Sequence, residues 1–297
     1  MKLTNALGLP GAIVRAVAAD DYSRGRANIS VTGLISSPRM SYLRELHDDE
    51  ITEDVSDRIF SLWGRAVHHI LEQTGDDAKS LVEERLYTEC EDWIVSGAFD
   101  RLALIEEAND AFLLQDWKNV SVWAIMLGEK PDWIRQLNLY ALLLRRHSFP
   151  VGRAQIVAIL RDWQRSKAEQ RADYPQAPVA VVDVPLWSVE EQEQYLTERV
   201  RLHQAARAGG ILPDCTAEER WERPTQYALM KAGNKRASRL FDNEEDAAAA
   251  VKPGYAVEVR LGASVRCQKA YCSAFPFCDQ ASNGTLTLDE DAGGEGG

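Results

Sequence analysis

Disulfide frameworks, membrane spans and internal repeats all have little support in this sequence. Its 297 residues include five cysteines, an odd number with four of them after position 214, so we expect reduced thiols or a local metal site rather than a disulfide scaffold. Charged residues interrupt every apolar stretch well before the roughly 18 residues of a membrane helix. Pro10 and Arg15 interrupt the apolar start of the chain, which is not typical of a secretory signal. We therefore expect a cytosolic protein.

The charge of the chain is negative overall but unevenly distributed. The formal net charge of -12 argues against a protein that coats nucleic acid nonspecifically. Two stretches are basic, however: residues 130–171 hold nine bases and three acids, and residues 220–239 hold six bases and one acid. Such stretches in an acidic protein can face phosphate groups, and solvated helix faces explain them equally well.

Hydrophobic periodicity predicts alternating strands and helices. We predict helices over residues 56–73, from Pro131 to about residue 147, and over 189–208. The strand predictions cover residues 81–88, 93–105, 111–120, 154–163 and 179–186. The polar stretch that follows residue 163 and ends at Gln176 is predicted to be a loop. We divide the chain into an N-terminal segment (1–53), an α/β core (54–210), a cysteine-containing subdomain (211–280) and a disordered acidic tail (281–297).

Two acidic residues are predicted to face each other across a hairpin formed by strands 93–105 and 111–120. If the loop over 106–110 is symmetric about Ala108, Asp100 lies opposite Asp116, and Lys118 follows on the same face. The other side chains on this face are apolar: Ala98, Leu102, Phe112 and Leu114. Paired carboxylates beside an apolar surface repel each other and lose hydration, and a divalent cation is the simplest way to keep both ionised. The alternative is an exposed acid pair neutralised by Lys118.

Hard oxygen ligands favour Mg²⁺ or Mn²⁺ over zinc at such a site. An ammonium group beside the cation can orient or deprotonate an attacking water, or stabilise charge on a phosphate. Metal-dependent hydrolysis of phosphodiesters is expected to use a cation and a nearby ammonium group in these roles.

Four ordered motifs make the sequence similar to the PD-(D/E)XK nuclease superfamily. They are WGRAVHHILE around His68, GAFD ending at Asp100, QDWKN containing Asp116 and Lys118, and QLNLY from Gln136 to Tyr140. The closest resemblance is to the RecB-like branch, which includes CRISPR-associated adaptation exonucleases and phage-encoded relatives. The resemblance implies a restriction-endonuclease-like fold, with a mixed central sheet flanked by helices, in a bacterial or phage-encoded protein.

The resemblance also implies a role for each motif residue. His68, Asp100, Asp116 and the backbone carbonyl of Trp117 would bind Mg²⁺ or Mn²⁺, and Lys118 would be the catalytic lysine. Gln136 and Tyr140 would position a DNA strand or the lysine. His68 fits the G-x-x-x-H pattern of the family better than its neighbour His69 does. The alternatives are that His68 is an ordinary core or surface histidine and that Tyr140 only packs its helix.

The C-terminal cysteines form a second candidate metal site. Cys267, Cys272 and Cys278 are spaced C-x4-C-x5-C, and Cys215 lies upstream. Some RecB-like nucleases bind a four-iron four-sulfur cluster through one distant and three C-terminal cysteines, although their distant cysteine usually precedes the core and their first gap is commonly two residues. Four thiolates suit zinc as well as a cluster, and the alternative is cysteines packed as small apolar residues. We expect Cys90 to be a core residue.

We therefore expect a metal-dependent deoxyribonuclease. The most direct expectation is an exonuclease that acts on single-stranded DNA or DNA ends in replication, recombination or repair. A noncatalytic DNA-binding or assembly protein that retains the fold is the alternative, and an RNA nuclease is a third candidate.

Overall fold

The computed structural model describes residues 1–19, 23–73, 80–105, 111–128, 130–268 and 271–283. It is a mixed α/β protein that divides into two units. Unit 1 contains Met1–Ser36 and Thr52–Ile211, and unit 2 contains Ser37–Ile51 together with the chain from Leu212 onward. The predicted N-terminal segment, 1–53, is thus shared between the units. None of the described helices is long and apolar enough to cross a membrane.

Unit 1 contains ten described strands and seven described α-helices. The strands are β1 (Lys2–Thr4), β2 (Ile29–Ser30), β3 (Thr52–Asp54), β4 (Ser80–Val82), β5 (Arg85–Cys90), β6 (Trp93–Ala98), β7 (Arg101–Leu104), β8 (Phe112–Val120), β9 (Val151–Leu160) and β10 (Val179–Val184). The helices are α1 (Gly11–Ala18), α2 (Val31–Ile35), α4 (Ile59–Gln73), α5 (Trp123–Met126), α6 (Pro131–Arg146), α7 (Arg165–Gln170) and α8 (Val189–Arg207), and a 3₁₀ turn over Val55–Arg58 precedes α4.

The largest sheet of unit 1 has β8 at its centre. Its strand order is β10-β9-β8-β7-β4, with β8 and β9 parallel and the other pairs antiparallel. The parallel pair needs a crossover, and α5 and α6 supply it between β8 and β9. The predicted hairpin register is confirmed, because Leu102 pairs with Leu114 and Arg101 with Gln115. The predicted loop of this hairpin, 106–110, lies outside the described residues.

Two smaller groups of strands complete unit 1. Strand β6 pairs in parallel with β2 and antiparallel with β5, and β1 pairs in parallel with β3. The predicted strands 81–88 and 93–105 are each divided in two. The first breaks at Glu83 and Glu84, and the second breaks at Phe99 and Asp100, so that each half joins a different sheet.

Helix α6 is the most buried element of unit 1. It begins at Pro131, as predicted, because proline at the first helical position has no N–H to leave unpaired. All residues from Gln136 to Leu144 are buried, since the helix packs against β8 and β9, β5 and β6, and helices α2 and α8. The buried stretch is rich in leucine, and its two polar residues, Gln136 and Asn138, are hydrogen-bonded, to Asp116 Oδ1 and to Ile134 O respectively.

The chain after β9 departs from the prediction. The polar stretch that ends at Gln176 was predicted as a loop, but it contains α7 and buries Tyr174. Trp163 Nε1 donates a hydrogen bond to Pro175 O at 2.7 Å, and Gln164 N donates to the Tyr174 hydroxyl at 3.0 Å. These long-range aromatic contacts order a segment that has no hydrophobic period of its own.

Unit 2 combines one early helix with C-terminal elements. They are α3 (Pro38–Leu46), β11 (Glu222–Arg223), β12 (Gln226–Lys231), β13 (Arg239–Phe241), α9 (Glu244–Ala249), β14 (Tyr255–Arg260), β15 (Ala263–Ser264), α10 (Val265–Gln268), a 3₁₀ turn (Phe275–Phe277) and α11 (Asp279–Asn283). Strand β12 lies between β13 and β14, and β11 pairs with β15. The first three residues of the predicted tail belong to α11, and the rest, 284–297, lies outside the described residues.

A buried histidine gives unit 1 a testable pH dependence. His203 on α8 is fully buried, with its Nε2 atom 3.1 Å from Leu34 O, and burial lowers its pKa from 6.5 to about 4. Because the unfolded chain binds a proton there at a higher pH than the folded chain, we expect the free energy of unfolding to fall as the pH falls from 6.5 to about 4. The expected slope is up to about 1.4 kcal/mol per pH unit.

Urea unfolding across this pH window checks the assignment. His203→Gln should lose this part of the pH dependence, whereas His147→Gln, a change at an exposed histidine, should keep it. Identical pH profiles for wild type and His203→Gln would show that His203 does not titrate as proposed.

Candidate functional site

The predicted nuclease residues come from three neighbouring elements of unit 1. His68 lies on α4, Asp116 and Lys118 lie on the central strand β8, and Gln136 lies on α6. Asp100 lies at the bend just before β7. The hairpin register and the packing of α4 and α6 against β8 bring these side chains together.

His68, Asp100 and Glu83 form one group of potential metal ligands. His68 Nδ1 is 3.3 Å from Asp100 Oδ1 and 3.5 Å from Glu83 Oε1. Within the described part of the chain, these are the only three His, Cys, Asp or Glu residues whose ligand atoms all lie within 4.8 Å of one another. Ligands about 2.1 Å from an octahedral cation are separated by about 3 Å along each edge, so this spacing is close to that of a Mg²⁺ or Mn²⁺ site.

Asp116, Lys118 and Gln136 form a second group beside the first. Lys118 Nζ is 2.6 Å from Asp116 Oδ2 and donates a hydrogen bond to Gln136 Oε1 at 3.0 Å. Gln136 Nε2 donates to Asp116 Oδ1 at 3.1 Å. Asp116 is 2% exposed, and no hydrogen-bond donor among the described residues is well directed at its Oδ2 atom. That oxygen therefore relies on charge, from Lys118 or from a cation.

The backbone of Trp117 connects the two groups. Its N–H donates to Asp100 Oδ2 at 2.6 Å, and its carbonyl oxygen lies 3.2 Å from His68 Nε2. The two nitrogen atoms of His68 thus face different neighbours, with Nδ1 towards the acids and Nε2 towards Trp117. A histidine that binds metal through one nitrogen commonly donates its other N–H to a carbonyl, which orients the ring.

Burial and neighbouring charges shift the pKa values of His68 and Asp116. Hydrogen bonds to Asp100 and Glu83 raise the pKa of His68 to about 10, against the effect of its burial. Burial raises the pKa of Asp116, and the Lys118 ammonium partly offsets this. When all five groups are ionised, three carboxylates face two cationic side chains, so the site attracts a further positive charge.

Glu83 is the residue that the sequence analysis missed. It was placed inside a continuous strand, but it lies between β4 and β5 with φ +51°, a region that favours glycine. Its N–H donates to the Asp100 carbonyl oxygen at 3.2 Å, which holds the strained residue beside the site. The only signal in the sequence is the acidic pair Glu83 and Glu84, which interrupts the strand pattern.

The ring of Tyr140 packs against Gly97 of β6. Its hydroxyl accepts a hydrogen bond from Gln136 Nε2 at 3.2 Å, and both residues are buried. Gly97 makes room for the ring, since a Cβ atom there would come within 2.8 Å of Tyr140 Cε1. This close contact explains why a glycine precedes Asp100 in the GAFD motif. The geometry fits both a positioning role and helix packing for Tyr140.

Substitution of this pair separates the two roles. If the protein has the nuclease activity that the four motifs predict, Gln136→Ala should lower DNA cleavage about tenfold, because Gln136 aligns Lys118 with Asp116 without carrying a proton or a metal itself. Tyr140→Phe should have a smaller effect, since it removes only the hydroxyl that contacts Gln136. Single-turnover rates with Mn²⁺ measure both. Unchanged rates in both variants would leave only packing, and complete loss in Gln136→Ala would make it a catalytic residue.

The four C-terminal cysteines lie around one cavity in unit 2. Cys215, Cys267, Cys272 and Cys278 all line this cavity of about 60 Å³. Unlike the ligand atoms of the His68 group, no three of these sulfur atoms lie within 4.8 Å of one another. Burial raises the pKa of the Cys215, Cys267 and Cys272 thiols. Cys90 lies apart in unit 1, partly buried against its core, as predicted.

Arg39 on α3 holds the segments that carry two of these cysteines. It is 3% exposed, pairs with Asp214 at 2.9 Å and with Asp279, and donates hydrogen bonds to the carbonyl oxygens of Leu212 and Pro213. These partners adjoin Cys215 and Cys278. Cys272 and Cys278 also pack against Met40, Leu43 and Ala274, which is the contact expected of cysteines that act as small apolar residues.

Comparisons with known proteins give limited similarity. A search of solved structures finds the crystal structure of SSO0001, which is 14% identical, with a TM-score of 0.43, over 64% of this chain and 84% of that chain. At that TM-score, the likeness does not define the activity. No protein-family model matches the sequence, and no curated protein sequence matches it.

Proposed function

We propose that this protein is a metal-dependent deoxyribonuclease with a restriction-endonuclease-like core in unit 1. The observation that carries the proposal is the arrangement on β8, where the buried Asp116 and its partly exposed partner Lys118 lie beside the group of His68, Asp100 and Glu83. A group of cation ligands next to a positioned ammonium is the arrangement that metal-dependent hydrolysis uses. The order of the four sequence motifs supports the same assignment.

The residues present fit a hard divalent cation. Two carboxylates and an imidazole at octahedral-edge spacing suit Mn²⁺ or Mg²⁺, and Asp116 adds a buried carboxylate oxygen on the neighbouring strand. We assign His68, Asp100, Glu83 and Asp116 as side chains that would hold the cation, with the Trp117 carbonyl beside them. When bound, the cation would lower the pKa of a water molecule and neutralise charge on the scissile phosphate.

Lys118 supplies a second positive group for the reaction. Asp116 and Gln136 fix the position of its ammonium, which remains partly exposed at the edge of the site. In this position, it can orient the attacking water or stabilise the charge that develops on the phosphate. Gln136 contacts both Lys118 and Asp116, so it is a positioning residue in this scheme.

A direct nuclease assay tests the proposal. Purified protein should degrade single-stranded DNA or DNA ends with Mg²⁺ or Mn²⁺ and lose this activity in EDTA. DNA binding with no cleavage under any metal condition would indicate the noncatalytic alternative. Cleavage of RNA in preference to DNA would indicate a ribonuclease at the same site.

Glu83 provides a sharper test of the metal centre. Glu83→Gln removes a negative charge 3.5 Å from His68 Nδ1, so we expect the Kd for Mn²⁺ to rise about tenfold. The matched control is Glu84→Gln, because Glu84 is the next residue and is exposed. Calorimetric titration measures both variants. Equal Mn²⁺ affinity in the two would remove Glu83 from the site.

We further propose that the four cysteines hold a four-iron four-sulfur cluster or zinc. The observation that supports a common centre is the single cavity that all four cysteines line. Iron and zinc content of protein purified without oxygen distinguishes the two metals.

A further inference from the structure

The exposed face of α4 carries two aromatic side chains that are only about half covered by the described residues. Phe60 is 53% exposed and Trp63 is 48% exposed, and their rings meet edge to face with centroids 5.9 Å apart. Burying either ring in a fold would stabilise it by about 2 kcal/mol, so their exposure needs another explanation. They lie one helical turn apart on the helix that carries His68.

A cation completes this aromatic surface. The guanidinium of Arg161 lies over the Phe60 ring, 4.2 Å from its centroid. Arg161 is exposed, and its backbone N–H donates to Val120 O at 3.0 Å, at the end of the strand that carries Lys118. The outer face of a stacked guanidinium can accept a nucleobase, and its charge suits a phosphate. Arg161 also belongs to the basic stretch over residues 130–171.

The surface between these rings and the metal ligands is open. Phe60, Gly64 and His68 follow each other at intervals of four residues and so lie along one side of α4, about 12 Å from first to last. A Cβ atom on Gly64 would meet no atom of the described residues within 4 Å, so none of their side chains covers the helix at this point. An extended strand can therefore cross Gly64 from the rings to His68.

We propose that Phe60, Trp63 and Arg161 form a stacking platform that receives single-stranded DNA and directs it to the metal site. This inference rests on the proposed nuclease function and specifies its substrate. Unpaired bases expose the ring faces that stack on Trp63 and on the Arg161 guanidinium, whereas a duplex keeps its bases stacked on one another. The charge of Arg161 favours a nucleic acid over an uncharged apolar partner on this face.

The test separates binding from cleavage. Binding of a fluorescein-labelled oligo(dT) strand is measured by anisotropy in EDTA, in an Asp116→Asn background that does not cleave. Trp63→Ala should raise the Kd about tenfold with no change in its salt dependence, because a stacked base contributes about 1–3 kcal/mol. Arg161→Gln should reduce the slope of log K against log salt by about 0.7, the value of one phosphate contact on a single strand.

Ile70→Ala is the matched control, since Ile70 is 62% exposed on the same helix and has no ring. It should bind oligo(dT) like the background protein, and an iodouracil-containing strand should cross-link to Trp63 or Phe60. The platform is wrong if Trp63→Ala and Ile70→Ala have the same Kd for oligo(dT). Loss of a dimer in Trp63→Ala without loss of DNA binding would assign the face to a second copy of the chain and also overturn the proposal.

Failure of the platform and failure of the nuclease assignment give different results. Trp63-dependent DNA binding in a protein that cleaves nothing with Mg²⁺ or Mn²⁺ would support the platform and overturn the enzyme. Cleavage by a protein whose DNA binding does not depend on Trp63 would support the nuclease assignment and overturn the platform.

Discussion

Lys118→Ala should reduce the rate of DNA cleavage by about a thousandfold, the range expected when a group that handles a proton or charge in the transition state is lost. The change removes the ammonium 2.6 Å from Asp116 Oδ2 and leaves that carboxylate buried without its charge partner. Asp116→Asn should have a similar effect, because it removes the negative charge but keeps the size of the side chain. Single-turnover cleavage with saturating Mn²⁺ measures both variants.

Lys167→Ala is the control for loss of a positive charge, since Lys167 is an exposed residue of α7. Its rate should equal that of wild type. Thermal melting establishes that each variant is folded. A folded Lys118→Ala or Asp116→Asn protein that cleaves at the wild-type rate would show that the active site lies elsewhere.

Cys272→Ser should remove the proposed metal centre of unit 2 entirely. One of the four cysteines that line the cavity is lost, and three thiolates no longer complete the ligand set of a four-cysteine centre. We expect the metal content to fall from about one centre per chain to near zero and unit 2 to melt at a lower temperature. Elemental analysis and visible absorption of protein prepared without oxygen measure the change.

Cys90→Ser is the matched control, because Cys90 is a partly buried cysteine in unit 1 whose sulfur lies 3.8 Å from Thr197 Oγ1. It should keep the full metal content. Wild-type protein without stoichiometric iron or zinc would remove the four-cysteine site and leave these residues as packing groups around Met40 and Leu43.

Local patterns predicted the part of the site that lies on one hairpin and one helix. The symmetric loop gave the pairing of Leu102 with Leu114, and this register places Asp100 beside the strand of Asp116. Proline predicted the start of α6, and the spacing of Gln136 and Tyr140 predicted that they share a face, which their hydrogen bond confirms. In each case, the determining contacts lie within about twenty residues along the chain.

Contacts between distant segments could not be predicted in this way. Glu83 reaches the site only because a strand break gives it a positive φ and a backbone contact with Asp100. Likewise, nothing near residues 37–51 in the sequence indicates that they belong with the C-terminal cysteines, since Arg39 finds its partners at Asp214 and Asp279. Such pairings depend on the shapes of elements that are far apart in sequence.

The position of Arg39 has a consequence for synthesis of the protein on the ribosome. The residue leaves the ribosome 240 residues before its partner Asp279. At a synthesis rate of about 5–20 residues per second, Asp279 is added roughly 12–48 s after Arg39. During this time, Arg39 and the apolar residues Met40 and Leu43 lack their native contacts with the C-terminal segment. Unit 1 has all of its own residues by position 211, so it can fold while the nascent chain is still attached. α3 is therefore made well before the residues that complete its native contacts, so its packing in unit 2 forms only after the C-terminal segment has left the ribosome.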